Sequence, residues 1–166
     1  MGVRKNRGLT LLELCVALAL VALLACLAAP TFLAASRNAA VRSAFFDLAA
    51  GLQLARASAI IQAQRGTLCL SSSAEGTCLS DGGTNAWTAF LVVDGQSRPL
   101  ASRTLPAGIV LQATRNRIDF WPDSRAASTG TLTICDTRGI ARPRALVVSQ
   151  LGRIRVAEGT VTGCRA

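Results

Sequence analysis

A chain of 166 residues, 51% of them hydrophobic, is long enough for one ordinary domain beside a membrane segment. It carries 18 Lys+Arg against 9 Asp+Glu, its only lysine is Lys5, and it has neither histidine nor tyrosine. The basic excess is silent on fold but directs partners toward polyanions (nucleic acid, anionic lipid or acidic sugar), with a solvated basic face as the plain alternative. The residue set argues against an enzyme, because Ser71-Ser72-Ser73 has no base to activate it. A zinc site is disfavoured by the lack of histidine and of any C-x-x-C spacing, so no metal and no cofactor is expected.

The first eight residues form a short basic leader, Met-Gly-Val-Arg-Lys-Asn-Arg-Gly. Leu9-Thr10-Leu11-Leu12-Glu13-Leu14 follows, and then an apolar run to Ala35 interrupted only by Pro30 and Thr31. About 20 apolar residues cross a bilayer as a helix, so residues 9–35 are expected to span the membrane once. Arg4, Lys5 and Arg7 would hold the leader in the cytoplasm, leaving the rest of the chain outside. A secretory signal peptide is the alternative, and Leu23-Leu24-Ala25-Cys26 even resembles a lipoprotein cleavage box. Two features oppose it: an acid, Glu13, at the start of the apolar run, and a helical pattern that continues past any such cleavage point. Glu13 needs a partner in lipid. Cleavage after Gly8 would create one, the free amine of Leu9, about 6 Å away along the helix axis.

Gly8-Leu9-Thr10-Leu11-Leu12-Glu13-Leu14 resembles the type III leader of type IV pilins and pseudopilins. The resemblance implies that a prepilin peptidase cuts after Gly8 and methylates Leu9, and that Glu13 aligns the subunit with other pilins during assembly. It implies an inner-membrane protein with its C-terminal domain in the periplasm, reaching the cell surface once assembled in a pilus. Pro30 falls where that family has a helix-kinking proline. Leu9 departs from the usual Phe.

Beyond the span, Val41, Phe45, Leu48, Leu52, Ala55 and Ala59 recur at steps of three and four, an amphipathic stripe over residues 36–65. One helix is expected from Leu9 to about Gln64, closed at Arg65-Gly66 with Gly66 as its cap. From residue 66 to 166 the pattern changes to short strands: Thr67–Leu70, Ala86–Val93, Ile109–Ala113, Arg117–Trp121, Thr131–Asp136 and Ala145–Ser149, with Arg153–Val156 weaker. Ser71–Asn85 and Pro122–Gly130 read as polar loops. The fold class is therefore α+β, a long helix carrying an antiparallel β domain. Cys15 and Cys26 lie in the apolar helix and read as small hydrophobes. Cys69, Cys78, Cys135 and Cys164 lie in the exported part and allow three pairings, of which Cys69–Cys78 with Cys135–Cys164 is the one expected from spacing.

The C-terminal segment concentrates charge. After Asp136 there are six arginines, Arg138, Arg142, Arg144, Arg153, Arg155 and Arg165, and one acidic side chain, Glu158. Arg153 and Arg155 are two apart, so in an extended segment they point the same way, and Gly152 suits a tight turn before them. Arginine's planar fork matches phosphate oxygens. Trp87, Phe90-Leu91-Val92-Val93-Asp94, Ile118-Asp119-Phe120, Leu132-Thr133-Ile134-Cys135, Leu146-Val147-Val148-Ser149 and Gly152-Arg153-Ile154-Arg155 together resemble the FimT minor pilins of type IV pili and their sisters, the GspH pseudopilins of type II secretion. Pro122-Asp123-Ser124-Arg125 departs from that pattern, which tends to place a glycine after the aspartate. In FimT proteins of natural transformation the Gly-Arg-x-Arg motif contributes to DNA binding. Here that implicates Arg153 and Arg155, with Arg142, Arg144, Arg138 and Arg165 added on charge alone. Aromatic residues are sparse in this tail, so phosphate contact with little sequence preference and little base stacking is expected. A GspH-like pseudopilin contacting other subunits or cargo, and a structural subunit without a ligand, are the rival readings.

Overall fold

A computed structural model describes residues 11–72, 78–79, 84–123, 126–157 and 164. Helix α1 covers Leu11–Gln62 and continues through Pro30. The chain divides into two compact units, Met1–Ser36 and Arg37–Ala166. In the first, Leu11, Leu18, Leu24 and Phe32 stand exposed, so this part of α1 buries no apolar stripe within the chain. Its length and composition suffice to cross a membrane.

In the second unit α1 is amphipathic in the way its spacing requires. Val41, Ala44, Phe45, Leu48, Leu52, Ala55 and Ala59 are all buried in one core with residues from both β-sheets. The helix ends earlier than expected, and not at Gly66. Ala63 takes the left-handed conformation (φ 51°), and the Gln64 N–H donates to the Ala59 carbonyl at 3.2 Å. That six-to-one bond closes the helix as a Schellman cap with alanine in the position glycine usually holds. Gly66 instead lies in strand β1, Arg65–Ser71. A Cβ there would overlap the Ala55 carbonyl oxygen, so glycine lets β1 lie directly against α1. Gly51 does the reciprocal service on the helix, where a Cβ would overlap the indole of Trp87.

The β part is two four-stranded antiparallel sheets rather than one. The first joins β1, β2 (Ala86–Val93), β3 (Gln96–Thr104) and β5 (Arg117–Phe120) in the order β3-β2-β1-β5. The second joins β4 (Ile109–Ala113), β6 (Gly130–Asp136), β7 (Arg144–Val148) and β8 (Ile154–Val156) in the order β4-β6-β7-β8. A bridge from Thr84 to Leu111 links them, with N–H···O bonds in both directions. Strand β3 was not expected from sequence. It is an exposed edge containing Pro99, tolerated there because an edge strand leaves some N–H groups unpaired. Its hairpin to β2 turns at Asp94-Gly95, both with positive φ, the primed turn that matches strand twist. Disulfides join Cys69 to Cys78 and Cys135 to Cys164, with Cα atoms 5.5 and 5.7 Å apart.

Candidate nucleic-acid interface

Strands β7 and β8 form a hairpin at one edge of the second sheet. Its turn is set by Gly152 (φ 69°), whose N–H donates to the Ser149 carbonyl at 2.8 Å. The Ser149 N–H donates to the Arg153 carbonyl at 3.0 Å, and the Arg153 N–H donates to Ser149 Oγ at 3.1 Å. This is a type I turn followed by a left-handed glycine bulge, so Gly152 is required by backbone geometry. The turn is tied to the loop after β5 by the Ala127 N–H, which donates to the Gln150 carbonyl at 2.8 Å.

The hairpin register orients the arginines. Ile154 pairs with buried Val148 and packs on the core, whereas Arg155 pairs with Val147, which points outward. Arg153 and Arg155 therefore share the solvent side, and both are exposed. Among the described residues the one side-chain ion pair is Arg117–Asp119, at 2.9 Å, so neither hairpin arginine is paired with a described carboxylate.

The other arginines after Asp136 do not join this pair. The Arg142 N–H donates to Asn38 Oδ1 at 3.2 Å, and the Arg144 guanidinium lies 5.8 Å from the centroid of Phe45. Both thus sit beside the stretch of α1 from residue 38 to 45, whereas Gly152 abuts Arg56, about 16–27 Å further along the helix, although Arg144 opens β7 only three residues from Val147, the partner of Arg155. Arg138 is exposed in the β6–β7 connection, where Asp136 gathers the N–H groups of Arg138, Ile140 and Ala141 at 3.1–3.2 Å. The arginines that sequence groups together are therefore split between two places. Arg165 lies outside the described residues, as do Gly8 and Leu9. Glu13 stands exposed on α1 in the first unit.

Sequence reasoning missed two residues beside the turn. Arg56, Ala59, Ile60, Phe120, Trp121 and Gly152 line a cavity of about 270 Å³. Arg56 comes from α1 and Trp121 from the end of β5, so only the fold brings them to Gly152. The signal that existed was alternation: in the expected strand Arg117–Trp121 the indole falls on the side of Arg117 and Asp119, opposite Ile118 and Phe120.

A family model described as "Type II transport protein GspH" matches residues 46–152. The chain belongs to the GspH family. It is a type IV pilin-like protein of the GspH/FimT group, and the minor pilins and pseudopilins are its kin. The matched stretch runs from α1 through the hairpin turn and stops at Gly152, one residue before Arg153. Crystal structures of the type IV minor pilin FimU of Pseudomonas aeruginosa PAO1 share the fold, one with a TM-score of 0.56 at 22% identity over 74% of this chain and 90% of that one. The minor pseudopilin EpsH from the type 2 secretion system of Vibrio cholerae does so with a TM-score of 0.50 at 13% identity, over 69% of this chain and 91% of that one. No curated protein matches the sequence. This GspH-family chain thus has the long apolar helix and antiparallel sheets of its structural neighbours. Membership implies association with other pilins in a filament, and the apolar part of α1 fits a membrane-anchored pilin with a periplasmic domain.

Proposed function

We propose that this chain is a FimT-like minor type IV pilin that binds DNA without sequence preference during uptake in natural transformation. The observation that supports it most directly is the pair of exposed guanidinium groups, Arg153 and Arg155, on the outward side of the β7–β8 hairpin and unpaired with any described carboxylate. Two forks one strand repeat apart suit successive phosphate oxygens. Arg138, Arg142, Arg144 and Arg165 are added on charge alone, and the Arg144 guanidinium already lies over the Phe45 ring. Net charge stays at +6 after loss of Arg4, Lys5 and Arg7 with the leader (9 − 3). The pseudopilin reading keeps a specific support of its own, the match to a family model described as a type II transport protein.

DNA shift titrations test the proposal. Binding of three or four phosphates predicts a slope of log affinity on log salt of about −3 on duplex DNA. Arg153→Ala with Arg155→Ala should weaken binding across all sequences and flatten that slope by about 2, roughly 1 for each arginine. Equal binding by the double variant would overturn the site. The reading also includes a prepilin peptidase whose cut after Gly8 frees the Leu9 amine for Glu13 and which then methylates that amine. Mass spectrometry of Gly8→Ala from membranes should find the leader still attached. Normal processing of that variant removes the peptidase from the account.

A further inference from the structure

We propose that the cavity beside the hairpin turn is a nucleobase pocket, in which one unpaired base of a DNA strand stacks on Trp121 with Arg56 beside it. The inference rests on the DNA-binding reading above and adds to it a contact that phosphate recognition by Arg153 and Arg155 does not require.

Three observations carry it. The first is the lining: Trp121 and Arg56 together with Ile60, Ala59, Phe120 and Gly152, the last of which lies against the Arg56 guanidinium and the Phe120 ring. Flat rings stack on indole and on guanidinium planes whatever their identity, which suits a ligand read without sequence preference. The second is exposure. Trp121 is 39% exposed, whereas the other tryptophan, Trp87, is 2% exposed in the core. Arg56 is half-buried and has no carboxylate partner among the described residues. No described acid lines the cavity; Asp119, two residues before Trp121, is already engaged by Arg117 at 2.9 Å and Thr67 at 2.6 Å, and Asp123, two residues after it, is exposed. The site is therefore apolar and positive, complementary to an aromatic base carried on a phosphate chain. The third is continuity. Trp121 is held by its N–H to the Ala126 carbonyl at 3.0 Å, and Ala127 holds the turn at Gln150, so pocket and arginines are parts of one hydrogen-bonded frame. Arg153 directly follows Gly152. A base in the pocket would leave its own phosphate beside the turn from which Arg153 projects into solvent. At about 270 Å³ the cavity is just below the usual range for ligand clefts, roughly 300–1,000 Å³, and is sized for a single ring system.

The test uses the full chain in zwitterionic detergent micelles and two probes of equal length and charge: a 15-nucleotide oligothymidine and a fully abasic phosphodiester. The thymidine strand should bind about 5- to 150-fold tighter than the abasic one, the range expected for loss of base stacking. Binding should also quench tryptophan fluorescence. Trp121→Ala should bring the two probes to the same affinity, and Trp121→Phe, which keeps a ring, should restore most of the preference. Quenching should vanish in both variants, since the remaining Trp87 is buried. Equal affinity of the two probes for the unaltered chain, with binding still lost in Arg153→Ala plus Arg155→Ala, overturns the pocket and leaves phosphate recognition standing. Absence of binding to either probe at low salt overturns both readings. A Trp121→Ala chain that keeps its thymidine preference yet fails to enter filaments would assign the cavity to a neighbouring subunit's side chain, and would overturn the base.

Discussion

Asp136 is 7% exposed and ends strand β6, where its two carboxylate oxygens accept the N–H groups of Arg138, Ile140 and Ala141. Burial pushes its carboxyl up, but the three backbone bonds and the positive charge of Arg37 outweigh that and hold it below the ordinary value of 3.8. A lowered folded value stabilises the native state above the unfolded value, and the contribution is lost as pH falls through the folded one. Stability should therefore drop on acidification below about pH 4. Asp136→Asn should cost about 1–3 kcal/mol at pH 7 and flatten that acid limb, as read from urea midpoints at pH 7, 5 and 3. A variant as stable as the parent at pH 7 would remove the carboxylate from this role. In the sequence Asp136 is only the last residue of a strand. Its loop-gathering role needs three amides from residues 138 to 141 turned toward it, which no spacing rule specifies. Arg153 and Arg155 are different: their common side follows from a spacing of two in an extended chain, and their exposure from an edge position.

Elements read well where burial imposes a period. The α1 stripe from Val41 to Ala59 is the core face, and β2 and β4 begin and end where their apolar runs do. Strand β3 carries no such period because both its faces are largely solvated, and Pro99 suppresses a strand reading. Asp94-Gly95 was the available signal for its hairpin. The end of α1 was misplaced for a related reason. Gly66 is a glycine near a helix end, and a cap is its commonest role, yet here contact between elements decides its identity. Gly66→Ala should cost about 3 kcal/mol or more, because the added methyl overlaps the Ala55 carbonyl and also lies 3.0 Å from the Ala59 Cβ. Gly95→Ala is the control: open space surrounds it, and only its positive φ (78°) is strained, worth about 1–2 kcal/mol. Thermal unfolding of the pair should show the larger fall in Gly66→Ala. The reverse order would place the helix–strand approach elsewhere.

Two sheets packed with one helix face give a core that draws on every layer of the Arg37–Ala166 unit. The disulfides act on that unit differently. Cys69–Cys78 closes a short loop at the end of β1, with Ser71 and Cys78 bridged as well. Cys135–Cys164 spans 29 residues and ties the C-terminus to β6, across the hairpin that carries Arg153 and Arg155. Loop-closure entropy predicts about 3–4 kcal/mol for the longer bridge and somewhat under 3 for the shorter. Denaturant titration of Cys135→Ser/Cys164→Ser against Cys69→Ser/Cys78→Ser should find the first pair less stable. Equal or reversed losses would mean that loop length is not what sets the contribution of these bridges.

The sequence by itself determined the α+β class, the long helix with its apolar first part, most strands, and the side on which Arg153 and Arg155 lie. These depend on local periodicity and composition, which each segment carries within itself. The leader motif is read from sequence alone, because residues 1–10 lie outside the described structure, and so is the assembly role of Glu13, which the structure places exposed in the first turn of α1. Tertiary structure decided that there are two sheets, that Gly66 is a contact and not a cap, and that Arg142 and Arg144 meet α1 at Asn38 and Phe45 while the hairpin turn meets it at Arg56. It also set Arg56, Trp121 and Gly152 around one cavity. Each of these depends on residues far apart in the chain meeting across packed elements, and neither a period of 2 nor one of 3.6 encodes such a meeting.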